Sequence, residues 1–386
     1  MSIPKSQISA LKFTSTTASS VGDISAVSRR LLGETVAKPR GFSFTTRFAS
    51  RRRGFHTRSS RLRAQHLIHE SAPHTPLGSS FAGTGLVLGI VTIGAFSFYH
   101  RQHLYSSMSS KLIPQNPSDV MVIREISPNV TTLSVPFSRF GTIKIGGRAT
   151  IGYPPTVRLS SGELAVFSPV ALTPEVREKL PQLGSTVRYI IAPDMEHHIF
   201  ISEWVKAFPE ARIIGPTGLP EKRAKQDDEK VGKEEFFKVF EASKKRETTI
   251  APDFDADFEY EFVDAHPNKE LVFFYKPEKI LIQADLMFNL PATEQYSKVP
   301  EAERQKSGFA DRLFQSLQNT EGEAKGTKRM LWYLMSRSDR PGFNDSVQRI
   351  NKWDFETIIP CHGETMIGNG KQLFEKIFEW HLQGHK

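Results

Sequence analysis

The segment that most constrains the fold of this chain is VRYIIAPDMEHHIF, residues 187–200. It opens with an apolar, β-branched run, Val187–Ile191, which is typical of a strand buried on both faces of a sheet. Pro193 ends the predicted strand because proline cannot donate a hydrogen bond to a sheet ladder. Side chains that bind metals or protons follow directly: Asp194, Glu196, His197 and His198. We therefore predict a polar cluster at the carboxyl end of a buried strand, with a surface turn carrying two solvated histidines as the alternative.

The distribution of charge separates a basic N-terminal part from a nearly neutral remainder. The formal net charge of the 386 residues is +9. Residues 1–110 carry 14 Lys and Arg against three acids, a balance of +11, which leaves −2 for residues 111–386. A nucleic-acid-binding domain needs its basic surface on the folded part, so we expect no nucleic-acid partner. The single cysteine, Cys361, excludes an intrachain disulfide and a cysteine-rich zinc cluster, so any metal would bind histidine and carboxylate.

Residues 1–65 have the composition of a mitochondrial targeting segment. They are rich in Ser, Thr and Arg, poor in acids, and end in a cluster of arginines between residues 51 and 63. Such a composition cannot bury a core. The sequence RGF followed by His-Thr at residues 53–57 also resembles the arginine-containing sites at which such presequences are cut. A disordered basic tail, a plastid address and a nuclear-localisation run are the alternatives.

Residues 81–99 form an uncharged stretch of 19, FAGTGLVLGIVTIGAFSFY, for which we predict a single transmembrane helix. At a rise of about 1.5 Å per residue this length just spans a hydrocarbon core of roughly 30 Å. Its four glycines are common in membrane helices, and a signal-peptide core would be shorter and nearer the N-terminus. Residues 100–118 are a polar, proline-containing linker, and residues 119–386 are the predicted globular domain. The expected location is therefore a mitochondrial membrane, crossed once.

The predicted domain alternates short strands with helices and carries two polar inserts. A helix is expected from Thr173-Pro174 to Leu183, because Thr is a good cap and Pro is favoured in the first turn. The first insert, residues 221–247, is a dense charge run that we interpret as a solvated helical excursion. The second, residues 293–329, directly follows the strand that ends before Asp285, and we predict that it covers this edge of the sheet or faces the membrane. The alternative is that its apolar residues at helical spacing face the core: Phe309, Leu313, Phe314 and Leu317. Further predicted strands run into His266, Asp285 and His362.

Four of the six histidines in residues 111–386 lie just past a predicted strand: His197, His198, His266 and His362. The other two, His381 and His385, lie in the terminal helix and tail. If the strands belong to one core, their ends meet at one edge, together with Asp285. Imidazoles with a carboxylate suit a divalent ion, with zinc as the first candidate and iron or manganese as alternatives. A single histidine after a strand is more often a core or turn residue, but four such residues favour a metal site.

The order of these motifs resembles the metallo-β-lactamase superfamily over residues 119–386. ADLMF at 284–288 is similar to its Gly-Asp-x-x-Phe strand end, and IIPCHGE at 358–364 is similar to its Pro-Gly-His-Gly motif. DAHPNKE at 264–270 stands where that superfamily has a Gly-His-Thr-Pro-Gly loop. The resemblance implies an α/β fold, the αββα four-layer sandwich, with metal ligands on loops at one edge. It implies that Asp285 is the bridging carboxylate and that His362 and His266 are ligands.

The first motif departs from the superfamily's His-x-His-x-Asp-His. The frame here reads Pro193-x-Met195-x-His197-His198, so His198 keeps its place and His197 occupies the aspartate position. The sequence around it more closely resembles a domain-of-unknown-function branch of the superfamily. The resemblance then implies a site for one metal on His198, Asp285 and His362, completed by His197 or His266. His197, Asp194 or Glu196 would serve as the general base, although Asp194 is equally a candidate N-cap for the next helix.

Three functions fit these observations. The first is a membrane-anchored, metal-dependent hydrolase of an unknown small ester, thioester or phosphoester. The second is a non-catalytic binding or assembly protein of a mitochondrial membrane, which the altered first motif favours. The third is an iron-dependent oxygenase, which would also need only one metal. Since specificity lies in loops that match no motif, the sequence leaves the substrate open.

Overall fold

Two β-sheets lie face to face, and helices cover the outer face of each. The computed structural model describes residues 116–152, 162–184 and 186–384. The strands are β1 (Val122–Ser127), β2 (Val130–Val135), β3 (Ser138–Arg139), β4 (Ile143–Lys144), β5 (Gly147–Gly152), β6 (Glu163–Phe167), β7 (Thr186–Ile191), β8 (Arg212–Pro216), β9 (Lys238–Phe240), β10 (Phe258–Val263), β11 (Glu270–Tyr275), β12 (Ile280–Gln283) and β13 (Thr357–Pro360). The α-helices are α1 (Pro117–Val120), α2 (Pro174–Leu183), α3 (Ile201–Ala207), α4 (Leu219–Ala224), α5 (Pro252–Asp257), α6 (Glu301–Arg304), α7 (Phe309–Leu317), α8 (Lys325–Met330), α9 (Arg340–Ile350), α10 (Gly370–Ile377) and α11 (Glu379–Leu382). A 3-10 turn lies at Ala242–Lys244 and a π-helical turn at Leu331–Met335.

The larger sheet has seven strands in the order β1-β2-β5-β6-β7-β8-β9, and the smaller has four in the order β10-β11-β12-β13. In the larger sheet β1, β2, β5 and β6 pair antiparallel, whereas β6 to β9 pair parallel. In the smaller sheet only the β12–β13 pair is parallel. Parallel neighbours end at the same edge, so the segments that follow β7, β12 and β13 are brought to one side of the domain.

Three buried apolar clusters define the four layers. The cluster between the sheets takes side chains from both, including Phe167, Tyr189, Ile191, Phe262, Phe273 and Ile282. A second cluster lies between the larger sheet and helices α2 and α3, and a third between the smaller sheet and helices α9 and α10. Sheets that bury both faces must carry apolar residues throughout, and β7 accordingly buries Val187, Tyr189, Ile190 and Ile191. The predicted αββα sandwich is therefore confirmed for the described residues.

Local signals in the sequence account for several element boundaries. Helix α2 begins at Pro174, and the Oγ1 atom of Thr173 accepts a hydrogen bond from the backbone N–H of Val176 at 3.4 Å. The helix ends at Leu183, with Gly184 as its C-cap. Both boundaries are the predicted ones.

The first insert is not the helical excursion that its charge run predicted. The insert, all of which lies within the described residues, contains as helix only the end of α4 (Leu219–Ala224) and the 3-10 turn at Ala242–Lys244, with irregular backbone after α4. The three residues of β9 then pair parallel with β8 as the last strand of the larger sheet. A three-residue edge strand has too few residues to show a period of two, and the charged residues around it masked the pairing.

The predicted targeting segment, transmembrane helix and most of the linker lie outside the described residues. Among the residues that are described, no helix is both long and apolar enough to cross a bilayer. The division of the chain into residues 1–65, 81–99, 100–118 and 119–386 therefore remains a prediction.

Candidate metal centre

Three side chains converge at the shared edge of the two sheets: His197, Asp285 and His362. One ligand atom from each lies within 4.8 Å of the other two. The Nε2 atoms of His197 and His362 are 3.2 Å apart, and His362 Nε2 is 3.1 Å from Asp285 Oδ1. All three residues are buried or half-buried. We call this set the metal group.

The strand pairing explains why the metal group forms. Gln283 at the end of β12 is paired with Pro360 at the end of β13, so Asp285 and His362 each lie two residues beyond the same rung of a parallel ladder. Strand β7 of the other sheet ends at Ile191, and the following turn delivers His197. The metal group therefore draws on both sheets.

Hydrogen bonds fix the orientation of both imidazoles. The Nδ1 atom of His362 lies 2.6 Å from the carbonyl oxygen of Gly146, which can only accept, so Nδ1 carries the proton. The Nδ1 atom of His197 lies 2.9 and 3.0 Å from the carboxylate oxygens of Asp194. In the neutral rings the lone pairs are consequently on Nε2, and these two nitrogens face each other. This is the arrangement in which an oxygen partner orients a histidine ligand toward a metal.

The donor set fits a divalent ion. Two imidazole lone pairs and a carboxylate oxygen at 3.1–3.2 Å repel one another unless a proton or a metal ion lies between them. Ligand atoms placed tetrahedrally at about 2.0–2.1 Å from a zinc ion are about 3.4 Å apart, close to the separations seen here. Asp285 Oδ1 is buried and accepts no hydrogen bond from the described residues. The group thus has the spacing and the uncommitted oxygen that a metal site requires.

Electrostatics favour a cation at this point. Burial opposes the charge on His197, but the carboxylates of Asp194, Asp285 and Glu270 outweigh it and raise its pKa to about 9. Burial also opposes ionisation of Asp285, yet the charge of His197 and the His362 imidazole 3.1 Å away hold the pKa of Asp285 well below its usual value. In the absence of a metal, a proton on His197 neutralises the group.

The loop after β10 supports Asp285 from two sides. Asn268 Nδ2 donates to Asp285 Oδ2 at 2.5 Å. The carboxylate of Glu270 accepts the backbone N–H groups of Ala284 and Asp285 at 2.8 and 2.9 Å. Burial, together with the charges of Asp194 and Asp285, raises the pKa of Glu270 well above its usual range. Sequence reasoning missed Asn268 and Glu270, although both lie in the DAHPNKE segment.

Arg148 holds the loop that carries His362, and sequence reasoning missed it as well. Its side chain is 1 % exposed. One guanidinium nitrogen donates to the carbonyl oxygens of Pro360 and Gly363, each at 2.7 Å, on either side of His362. Another nitrogen lies 3.2 Å from the carboxylate of Glu294, which compensates the buried charge. An arginine inside a strand of otherwise uncharged residues was the available signal.

His198, which the sequence favoured as a ligand, lies outside the metal group. Arg223 donates to the carbonyl oxygen of His198 at 2.6 Å and places a guanidinium nitrogen 3.3 Å from its Nδ1. Burial and the charges of Lys222 and Arg223 lower the pKa of His198 well below its usual range. Consecutive residues in this turn point in different directions, so His197 enters the group and His198 packs against α4.

His266 is also outside the group of three, although it is fully buried beside it. Its Nδ1 accepts a hydrogen bond from the backbone N–H of Asn268 at 3.3 Å and lies 3.8 Å from a carboxylate oxygen of Glu270. Its Nε2 has no hydrogen-bond partner within the described part of the chain. Burial lowers the pKa of His266, so the ring is neutral.

Asp194 orients His197 and does not cap helix α3. Its Oδ1 accepts the backbone N–H groups of Glu196 and His197 at 2.8 and 2.9 Å, in addition to the imidazole. Helix α3 begins at Ile201 with Phe200 as its N-cap, so the N-cap interpretation is wrong. The side chain of Glu196 pairs instead with Lys222 at 3.0 Å.

Aromatic rings surround His362. The ring of Phe137 stacks on it at 6.2 Å between centroids, and the ring of Phe288 lies at 4.6 Å. Phe314 from the second insert contacts Phe288 at 6.3 Å. Cys361 is buried, its thiol donates to Ser168 Oγ at 2.9 Å, and burial raises its pKa, which fits a packing residue. The metal group therefore lies against an apolar wall.

Comparisons with known proteins found one family profile and several solved structures that are similar to this chain. A family profile described as "Domain of unknown function (DUF4336)" matches residues 153–335. A metallo-β-lactamase from Pontibacter korlensis is 13% identical, with 68% of this chain and 98% of that chain aligned and a TM-score of 0.41. The flavodiiron core of Flv1 from Synechocystis is 13% identical, covering 68% of this chain and 60% of that chain, with a TM-score of 0.43. A flavo di-iron protein variant from Thermotoga maritima aligns at 12% identity over 68% of this chain and 62% of that chain, with a TM-score of 0.42. No curated protein sequence matches the chain.

Proposed function

We propose that the chain is a metal-dependent hydrolase, held at a mitochondrial membrane, that acts on a small ester, thioester or phosphoester. The convergence of His197, Asp285 and His362, with both imidazoles already oriented by oxygen acceptors, is the observation that carries this proposal. A divalent ion held by three protein groups with an open position lowers the pKa of bound water to about 7 and polarises a carbonyl or phosphoryl oxygen.

Each residue of the site has a separate task in this proposal. His197, Asp285 and His362 hold the ion. His266 is not assigned as a fourth ligand, because its Nδ1 accepts the backbone N–H of Asn268 and its Nε2 therefore carries the ring proton, which is free to donate to a molecule bound beside the ion. Asp194 orients His197 instead of accepting a proton from water, because its carboxylate already binds two backbone N–H groups and the imidazole. Arg148 holds the His362 loop. His198 is left out of the proposed ligand set because Arg223 binds its backbone and lies beside its ring.

The apolar wall favours chemistry shielded from bulk water. Phe137 and Phe288 contact the ring of His362, which lowers the local dielectric and strengthens charge interactions at the metal group. The same wall provides a surface for an apolar part of a substrate.

The donor set also supports a second candidate function. Two histidines and one carboxylate with open positions are the ligand set of non-haem iron(II) oxygenases. The third candidate, a binding or assembly protein of the mitochondrial membrane, is supported by the departure of the first motif from the superfamily pattern.

Elemental analysis of the purified full-length chain separates the three candidates. We expect about one equivalent of zinc, with manganese also compatible with hydrolysis. Bound iron would favour oxidation, and a metal-free protein that binds none of these ions would favour the binding protein. Asp285→Asn should lose the metal, whereas the matched control Asp345→Asn, which alters an exposed aspartate on α9, should retain it.

A further inference from the structure

Helix α7 (Phe309–Leu317) buries a charged residue and exposes an aromatic one, which is the reverse of an ordinary amphipathic helix. Its one buried residue is Asp311, which is 1 % exposed. Phe309 is 73 % exposed, and its other apolar residues remain partly exposed: Leu313, Phe314 and Leu317. An amphipathic helix normally turns its apolar stripe toward the core. The alternative that this stripe faces the core is therefore wrong for Phe309 and only partly met by the others.

Specific hydrogen bonds fix this orientation. The carboxylate of Asp311 accepts the backbone N–H of Lys144 at 2.9 Å and the hydroxyl of Ser307 at 2.7 Å. Gln315 Nε2 also donates to it at 3.1 Å. Rotating the helix to bury Phe309 would leave a buried backbone N–H of the β3–β4 hairpin without its acceptor.

The β3–β4 hairpin, which is bonded to the second insert through Lys144, carries a second exposed aromatic residue. Lys144 Nζ donates to the carbonyl oxygens of Glu303 and Arg304 at 3.2 and 2.6 Å, which joins the hairpin to the insert. Phe140 at the hairpin turn is 40 % exposed and has a φ of 54°, in the left-handed region that bulky residues seldom adopt. We define the docking face as Phe140, Phe309, Leu313, Phe314 and Leu317.

We propose that the docking face lies on the surface of an anionic lipid bilayer. This inference rests on the proposed membrane anchoring. The hairpin (residues 138–144) and the segment of the insert at residues 301–317 together carry five basic and three acidic side chains. One of the acidic side chains, Asp311, is buried. The docking face has two exposed phenylalanines beside half-buried leucines, flanked by lysine and arginine, and such a composition binds the headgroup region of anionic membranes.

The position of the chain's first described residues supports a bilayer as the occupant. The predicted membrane span ends at residue 99, and the described domain begins at Asn116. The 16 residues between them extend at most about 55 Å, since an extended residue covers about 3.3–3.6 Å. Lys298 Nζ donates to the carbonyl oxygen of Met121 at 2.6 Å, so the first strand starts beside the second insert. A membrane span that ends at residue 99 would therefore hold the second insert within reach of the bilayer.

A bilayer contact here would bring lipid-dissolved molecules close to the metal group. Phe314 of the docking face contacts Phe288, whose ring lies against His362. A continuous row of aromatic side chains thus joins the docking face to the metal group.

The test uses the full-length chain in vesicles of phosphatidylcholine and phosphatidylglycerol. Cys361 is buried, so a fluorophore can be attached selectively to a cysteine introduced at exposed Ala310, which leaves Phe309 intact. The matched control is Ala242→Cys, an exposed alanine on the 3-10 turn after β9. Insertion of the docking face by about 5–10 Å should make quenching by nitroxide-labelled lipids at least about twofold stronger at position 310 than at position 242. Adding Phe309→Glu and Phe140→Ser should abolish the difference without changing the melting temperature.

Retention of the protein by vesicles in alkaline carbonate reports on anchoring separately from docking. A retained protein with no quenching at position 310 overturns the docking proposal and leaves the anchoring intact. Release of the protein together with no quenching overturns both. Equal quenching at positions 310 and 242, or a label at 310 that is shielded from aqueous iodide but not quenched by lipid, also overturns the docking proposal. The last result would mean that protein covers this face.

Discussion

At the scale of single residues, the site depends on which atom of each side chain is left free. His197 and His198 are adjacent and chemically identical, and the resemblance to the superfamily motif favoured His198 as the ligand. The turn at Asp194 determines which of the two enters the metal group. The Asp194 carboxylate accepts two backbone N–H groups of the turn and also binds the ring of His197, which orients that ring. No pattern of spacing contains that information, since it depends on where the turn places each ring.

Asp285 should be indispensable for metal binding. Asp285→Asn keeps the shape and a hydrogen-bonding partner for Asn268 but removes the negative charge that attracts a dication. With free zinc 100-fold above its dissociation constant, the wild type should gain about 2.7 kcal/mol of stability and the variant almost none. Thermal melts with zinc and with chelator measure this, with Asp345→Asn as the control. Identical melts of the wild type under both conditions would argue against a metal site.

Arg148 should be required both for stability and for the placement of His362. Arg148→Met leaves the carboxylate of Glu294 and two carbonyl oxygens without their buried donor. Breaking a buried ion pair from one side costs about 3–5 kcal/mol. Urea unfolding measures the loss, and zinc titration should show weaker binding. Arg148→Lys, which keeps the charge, should recover part of both. A variant that binds zinc as tightly as the wild type would remove Arg148 from its positioning role.

Metal-free and metal-loaded protein should differ in their response to pH. The raised pKa of His197, about 9, means that the metal-free fold gains stability from a proton that is fully present below pH 6.5 and lost as pH rises through 9. In the metal-loaded protein the ion replaces that proton, so stability should stay level over the same window. Denaturant unfolding at several pH values checks this. Because Glu270 also has a raised pKa and acts in the same direction, His197→Gln is needed to isolate the share of His197.

At the scale of elements, the sequence predicted best where a local rule determines the outcome. The cap at Thr173, the apolar run of β7 and the strand ends before Asp285 and His362 all follow from residue type and neighbours. The prediction failed where the structure of a segment depends on a partner that is distant in the sequence. Strand β9 exists because β8 offers it an edge, and α7 is turned outward because Asp311 binds the hairpin. The supports of the site were missed for the same reason, since Arg148 and the loop it holds are more than 200 residues apart.

The second insert should respond to metal because it is attached to the His362 loop. The backbone N–H of Glu294 donates to the carboxylate of Glu364, and Gln295 Nε2 donates to the carbonyl oxygen of Gly363 at 3.1 Å. A metal that orders His362 should therefore slow tryptic cleavage at Arg304, Lys306 and Arg312. The exposed, irregular segment at residues 225–230 is an internal control whose cleavage should not change. Equal cleavage of the insert with and without metal would speak against coupling between the two.

At the scale of the whole molecule, our proposal joins a metal-binding domain to a targeting segment and a membrane anchor that are predicted from the sequence alone. The nearly neutral charge of residues 111–386 and the strongly basic N-terminal part are the basis for predicting that targeting and chemistry lie in separate segments. A soluble relative of such a domain would meet any dissolved substrate, whereas a tethered one meets substrates at a membrane. The docking face proposed on α7 and the hairpin would fix the orientation of the tethered domain relative to the membrane.

Residues 1–110 should suffice to carry a fluorescent protein to a mitochondrial membrane. The acid-poor, arginine-rich leader is expected to direct import, and the uncharged stretch at residues 81–99 is expected to resist extraction by alkaline carbonate. Deleting residues 81–99 from the same fusion should leave the mitochondrial signal in place and release the protein into the carbonate supernatant. Deleting residues 1–65 should instead abolish the mitochondrial signal. A diffuse cytosolic signal from the full 1–110 fusion would contradict the address, and carbonate release of that fusion would contradict the anchor.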